Sequence, residues 1–179
     1  ADVASQAGVI DYGPGMSTCW FDMDNDGLQD LYVANMWLPE GRRITADDHF
    51  LRGADPAVRA LYQKHNAGNS LYRNAGNGTF EDRTGKAGMA IGGWSWSCAS
   101  WDFDNDGWSD VYVANGFVSA PNRYDLQSFF WRQVAQRSLT APGASPEYEQ
   151  AWNAINELLR SDYSWSGYQR NAFFANNRD

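Results

Sequence analysis

A chain of 179 residues with 43% hydrophobic and 15% aromatic content carries enough apolar material for a packed core, which excludes a disordered polypeptide despite a mean hydropathy of −0.59. Its formal net charge of −8, from 14 basic and 22 acidic residues, excludes nucleic acid as a partner, because binding phosphates needs a surplus of Lys and Arg. No run approaches the roughly 18 to 20 apolar residues of a membrane helix, so membrane insertion is not expected.

Seventeen Gly, many Asn and Asp, and nine each of Trp, Tyr and Phe favour β-structure with frequent turns. Along the chain, Asp2-Val3-Ala4 and Ala7-Gly8-Val9 open a unit that recurs 80 positions later as Asp82-Arg83-Thr84 and Ala87-Gly88-Met89. Strands are expected at about 16–22 and 30–35, followed by an insertion over about 36–68. In it, Asp55-Pro56 reads as a helix start, with Val58, Leu61, Tyr62 and His65 on one face. The chain then returns to strands at about 69–74 and 79–84, joined by a turn at Asn77-Gly78. Asn77-Gly78-Thr79 is also a glycosylation sequon, although the turn alone accounts for it.

The second unit repeats the pattern with strands at about 94–102, 110–115 and 171–176, and with a longer insertion over about 116–170. Two helices are expected there, one capped by Asp125 and carrying Leu126, Phe129, Phe130 and Val134. The other starts at Ser145-Pro146 and carries Tyr148, Trp152, Ile155 and Leu159. These stripes read as packing onto the sheet. The organisation is thus a repeat over 1–81 and a second over 82–179, each with a helical excursion.

Both repeats contain Asp-x-Asp-Asn-Asp-Gly-x-x-Asp, and these two nine-residue segments hold eight of the 22 acidic residues. Carboxylates at the first, third, fifth and ninth positions, with a backbone carbonyl at the seventh, converge if the chain turns sharply at the glycine. The expected ligands are Asp22, Asp24, Asp26, the Leu28 carbonyl and Asp30, then Asp102, Asp104, Asp106, the Trp108 carbonyl and Asp110. Hard oxygen donors without His or thiolate select Ca²⁺. Two such ions would bring the net charge from −8 to −4. An EF-hand is excluded because Val33 and Val113 stand where its bidentate Glu belongs. The segment after each loop, Leu31-Tyr32-Val33-Ala34 or Val111-Tyr112-Val113-Ala114, favours a strand, so each ion is expected between two strands.

Other candidates carry less. Cys19 and Cys98 each precede an aspartate loop and read either as a disulfide or as two buried small residues. Asp47-Asp48-His49 could hold a metal or an active site, but reads more simply as a solvated insertion. No nucleophile–His pair, phosphate-cradling Gly-Lys-Ser/Thr or paired-Cys metal spacing is present, so no catalytic residue is assigned and an enzyme is not expected. Trp94, Trp96, Trp101, Trp108, Trp131 and Trp165 could include a sugar-stacking platform, although core packing accounts for most of them.

These loops, together with Asn69-Ser70-Leu71-Tyr72-Arg73-Asn74, Gly78-Thr79-Phe80-Glu81-Asp82 and Val111-Tyr112-Val113-Ala114-Asn115, resemble the FG-GAP/VCBS repeat of integrin-α-like β-propellers. Within that group they are most similar to bacterial cartilage-acidic-protein-like ASPIC/UnbV proteins. The resemblance implies a mainly β fold of antiparallel four-stranded propeller blades with helical insertions. It further implies calcium in the blade loops, and an extracellular, cell-surface or periplasmic location. The implied function is recognition, adhesion or structural assembly, with other blades of the same or a neighbouring chain as partners and a protein or glycan ligand. A carbohydrate-directed enzyme domain or its accessory, or a self-assembling filament subunit, is the alternative. A closed propeller takes four to eight blades. About two repeats are therefore expected to be a segment of a longer polypeptide, or to complete their sheets by copies associating head to tail.

Overall fold

The computed structural model describes residues 1–36, 39–137 and 145–178. The edge of the first insertion at 37 and 38, the stretch 138–144 of the second, and the last residue, 179, lie outside the described residues. In chain order the strands are β1 (Gly15–Phe21), β2 (Asp30–Asn35), β3 (Ser70–Asn74), β4 (Phe80–Asp82), β5 (Ser95–Trp101), β6 (Asp110–Asn115), β7 (Asn122–Asp125), β8 (Tyr163–Ser164) and β9 (Ala172–Phe174). The helices are α1 (Ala4–Ala7), α2 (Pro39–Ala46), α3 (Pro56–His65), α4 (Thr84–Ala87), α5 (Gln127–Phe129) and α6 (Pro146–Arg160).

Contacts group the chain into two compact units. The strands of both repeats fall in the first, comprising Ala1–Trp37, Gly68–Asn115 and Arg170–Asp179, and the insertions fall in the second, comprising Leu38–Ala67 and Gly116–Gln169. Charge divides with them. The first unit holds thirteen acidic and five basic residues, the second nine of each, so the whole net charge of −8 belongs to the β unit.

In the β unit, β1-β2-β3-β4 form a four-stranded antiparallel sheet and β5-β6-β9 a three-stranded one. Strand alternation gives each sheet two faces. Cys19, Phe21, Tyr32, Ala34 and Leu71 lie on the inner face of the first sheet. They pack with Cys98, Val111, Val113, Ala172 and Phe174 of the second sheet, and Met89 joins the same core. The repeat relationship makes this stacking directional. Phe21, Tyr32 and Leu71 of the buried face correspond in the second repeat to Trp101, Tyr112 and Phe173, which occupy the opposite, outer face of their sheet. The two sheets therefore stack head to tail, equivalent faces pointing the same way.

Each repeat begins with a one-turn helix, α1 or α4, whose C-cap glycine, Gly8 or Gly88, is left-handed at φ 76° or 68°. The side chains of Asp2 and Asp82, two residues before each helix, accept from its first amide, that of Ala4 or Thr84, at 2.9 Å.

In the insertion unit the caps form where expected. The Asp55 side chain accepts from the Ala57 amide at the start of α3, and Ser145 from the Tyr148 amide at the start of α6. Asp125 accepts from the Gln127 amide at 2.9 Å, but after α5 the chain widens into a π-helical turn over Phe130–Val134. The stripes expected to pack onto the sheet are buried among themselves. Ile155 of α6 is fully buried, Phe130 meets Trp152 at 5.9 Å, and Phe50 meets Tyr62 at 5.3 Å. Leu61 and His65 remain exposed, so α3 buries less of its face than its periodicity suggests.

Candidate metal centres

Both aspartate loops sit between antiparallel strands, the first joining β1 to β2 and the second β5 to β6. Their backbones turn alike. Asn25 and Asn105 adopt left-handed φ of 55° and 60°, and Gly27 and Gly107 φ of 85° and 88°, which folds each loop back on its first aspartate. Asp22 accepts from the Asp26 amide at 3.1 Å and the Gly27 amide at 2.8 Å; Asp102 accepts from Asp106 at 2.9 Å and Gly107 at 2.8 Å. The first carboxylate thus shapes the loop as well as facing its centre.

The ninth-position aspartates anchor the loops to the sheet. Asp30 is buried and accepts from the Met23 amide and from Asn74 of β3, both at 2.7 Å. Asp110 accepts from the Phe103 amide at 3.1 Å and from Asn176 at 2.8 Å. Burial raises the Asp30 pKa, and the two amide bonds only partly offset it.

Ligand oxygens of Asp22, Asp24 and Asp30 lie within 4.8 Å of one another, as do those of Asp102, Asp104 and Asp106. Asp26 and Asp110 are not drawn into those groups. Asp26 instead meets Arg73 at 2.5 Å, and Asp110 is held by its two amides. Leu28 and Trp108 sit at the seventh position, their amides donating to Asp26 and Asp106 at 2.9 Å.

Each cluster is partly neutralised by one guanidinium. Arg73 of β3 reaches Asp24 and Asp26 at 2.5 Å, and Arg178 reaches Asp106 at 2.6 Å. The Arg178 bond, followed by the Trp108 amide, holds the Asp106 carboxyl below its ordinary range. One arginine cannot balance four aspartates. Asp24 Oδ1 is buried within its cluster without a hydrogen-bond partner among the described residues. An orphaned carboxylate oxygen beside two further carboxylates fits a bound cation, and all-oxygen donors fit a hard one.

The other sequence candidates separate. Asp47 and His49 line an open cleft of about 720 Å³ in the insertion unit, together with Arg43, Arg132 and Arg137. His49 Nδ1 lies 3.0 Å from Asp47, but both side chains are largely solvated, at 77% and 58% exposure. Among the described residues the lining contains no Ser, Thr, Cys or Lys. Asp48 is exposed and does not line it. Trp131 and Trp165 are core residues, Trp94 and Trp108 are half-buried, and Trp96 and Trp101 are exposed.

Sequence reasoning gave no role to the asparagines that close each insertion. Asn35 at the end of β2 donates its amide to Asn69, whose side chain donates to the Tyr32 hydroxyl at 2.7 Å. Asn115 bonds Asn171 in the same way, and Asn171 donates to Tyr112. The signal was the repeated Tyr-Val-Ala-Asn paired with the returning Asn, visible as a recurrence but silent about its bonds.

Stacked antiparallel β-repeats with an acidic loop between paired strands define the class of this protein. Residues 57–113 match the FG-GAP-like repeat family, a span that runs from α3 through β3, β4, α4 and β5 and contains the second aspartate loop. No curated protein matches the chain. Among the described residues no helix is long and apolar enough to cross a membrane.

Proposed function

We propose that this protein is a calcium-stabilised β-propeller repeat module, related to the cartilage-acidic-protein-like group, that serves recognition, adhesion or structural assembly outside the cytoplasm. The observation that carries the reading is the convergence of three carboxylates at each of two equivalent inter-strand loops, one cluster with an unpartnered buried oxygen. Asp22, Asp24, Asp26, Asp30 and the Leu28 carbonyl would hold one ion, and Asp102, Asp104, Asp106, Asp110 and the Trp108 carbonyl the other. Calcium supplies the positive charge that lets these carboxylates share a loop. An ion that binds only the folded state adds about 2.7 kcal/mol at a hundredfold excess over Kd. The role is structural and no catalytic step is assigned.

Head-to-tail stacking supports other blades as the partners. Trp101, Phe103 and Phe173 are exposed on the outer side of the second sheet, at 41%, 60% and 45%, although Phe21 and Leu71, the equivalents of Trp101 and Phe173, are buried under a neighbouring sheet and Met23, the equivalent of Phe103, packs against the same core. A further sheet of the same kind, from this polypeptide or a second copy, would cover them as the second sheet covers the first.

The test is thermal unfolding of chelator-treated protein as calcium is restored. A midpoint that climbs with calcium, and no longer does in a variant carrying Asp24→Asn and Asp104→Asn, supports structural ions. Indifference to both calcium and chelator ends the metal reading.

A further inference from the structure

Two cysteines at equivalent repeat positions would stand on equivalent faces, and in a head-to-tail stack equivalent faces never touch. Cys19 and Cys98 are 79 positions apart, one short of the 80 that relates Asp22 to Asp102. Because side chains alternate along a strand, that single step reverses the face. Cys19 pairs in register with Tyr32 on the inner face of the first sheet, whereas Cys98 pairs with Val113 on the inner face of the second. Both pack against the same buried core between the sheets.

We propose that Cys19 and Cys98 form a disulfide between β1 and β5, joining the two repeats through a covalent bond across their stacked faces. Two contacts bracket the pair. On one side Ser17, two residues before Cys19 on the same face, lies 3.3 Å from the Cys98 amide and 3.7 Å from its sulfur. On the other, Ser100, two residues beyond Cys98, reaches the Trp20 carbonyl at 3.5 Å. The strands are thus locked side by side where the cysteines sit. Both cysteines are half-buried and reduced in this structure. The hydrogen bond from Cys19, helped by Ser17, lowers the Cys98 pKa to about 7, while the same bond raises that of Cys19. Cys98 is therefore the attacking thiolate near neutral pH.

The oxidant is a small disulfide such as oxidised glutathione. Cys98 thiolate attacks one glutathione sulfur, forming a mixed disulfide and expelling one glutathione thiolate. Cys19, on losing its proton, then attacks the Cys98 sulfur and expels the second glutathione thiolate. The two electrons leave the protein in two reduced glutathiones, which take up the two protons. The bond closes a long loop containing both β3 and β4, which restricts the unfolded chain and raises the unfolding midpoint.

The experiment incubates the whole reduced chain with oxidised glutathione and reads intact mass, tryptic peptides and unfolding midpoint. The expected result is a mass lower by two hydrogen atoms, a cross-linked peptide containing Cys19 and Cys98, and a higher midpoint that a reductant reverses. Cys19→Ser should stop at a glutathione adduct on Cys98, its unfolding in reductant showing that the fold is kept. Free thiols, separate glutathione adducts on both cysteines, or disulfides only between chains in the unaltered protein would overturn the proposal whether or not the variant folds. None of these readouts depends on calcium.

Discussion

The backbone amide of Asn35 donates to the side-chain oxygen of Asn69 at 2.8 Å, joining the residue where the chain leaves the first sheet to the residue where it returns. The Asn35 side chain closes the neck further by donating to the Gly68 carbonyl at 2.8 Å. Asn115 repeats the arrangement with Asn171 at 2.9 Å and the Arg170 carbonyl at 3.0 Å. A long excursion can then be inserted between adjacent strands without loosening their register, because the backbone groups at the neck are satisfied locally.

Burial distinguishes the two necks. Asn69 is buried, so Asn69→Ala leaves the Asn35 amide without its partner away from water, while the Tyr32 hydroxyl keeps its bond to the Met89 carbonyl, and should cost about 2–3 kcal/mol. Asn171 is exposed, and water can replace it; Asn171→Ala should cost about 1 kcal/mol or less. Urea unfolding of both variants checks this. Equal losses would mean that the neck bonds matter independently of burial.

The aspartates of one loop should also separate by role. Asp24 faces the cluster with an orphaned oxygen and an arginine, and Asp24→Asn should weaken calcium roughly tenfold or more, about 1.4 kcal/mol. In chelator it should change stability by under about 1 kcal/mol, because the Arg73 pair is partly exposed. Asp30→Asn should cost about 1–3 kcal/mol even in chelator, since an amide cannot accept from both Met23 and Asn74 through two oxygens, and more in calcium, because it also weakens a ligand of the ion. Calcium titration by calorimetry, paired with unfolding in chelator, reads both. An Asp30→Asn protein that is as stable as its parent in chelator would contradict the anchoring role.

Much of the β unit, and the helix starts of the insertion unit, were legible because their signals are local. The strands, the aspartate loops and the Asp55 and Ser145 caps follow from alternation, turn residues and capping chemistry within a few residues. What the insertions pack against was not legible, because a stripe such as Tyr148, Trp152 and Ile155 states that a face is apolar without naming its partner. Nor could spacing show that Asp26 would turn to Arg73, 47 positions away, while Asp30 joined the cluster. The meaning of the 79-residue cysteine spacing depends on which faces of the two sheets meet, a tertiary fact that the repeat alone leaves open.

The outer aromatic face makes a prediction about association. Trp101 lies 5.7 Å from Phe103, and Phe103 lies 5.1 Å from Phe173, a ring cluster on a sheet surface that in the first repeat is covered. Replacing Trp101 and Phe173 by Ser should change the unfolding free energy of the isolated chain by under about 1 kcal/mol, because both residues are exposed. If copies stack through this face, the same change should raise the concentration needed for association by tenfold or more, about 1.4 kcal/mol, read by sedimentation. Association unchanged by the substitutions would place any self-contact elsewhere.

The thiol pair predicts a pH profile for the reduced protein. Cys98 is lowered to about 7 from an ordinary 9.0, first by the hydrogen bond from Cys19. Below pH 7 such a group has about a hundredfold more thiolate than an ordinary thiol, from the two-unit difference. Its lower basicity takes back about tenfold in nucleophilicity, so alkylation by iodoacetamide should remain about tenfold faster than at an isolated cysteine. The rate should level off above pH 7 rather than continue to rise towards 9. Cys19→Ala removes the donor and should move the midpoint upward, leaving a slower thiol at pH 6. The linkage has the same sign: a depressed pKa contributes stability that is complete above the ordinary 9.0 and is lost as pH falls through about 7. The reduced protein should therefore lose this increment between about pH 9 and pH 7, and the Cys19→Ala variant should not. A Cys98 midpoint that stays near 9 in the parent, or that ignores the substitution, would show that the two sulfurs do not face each other across the sheets.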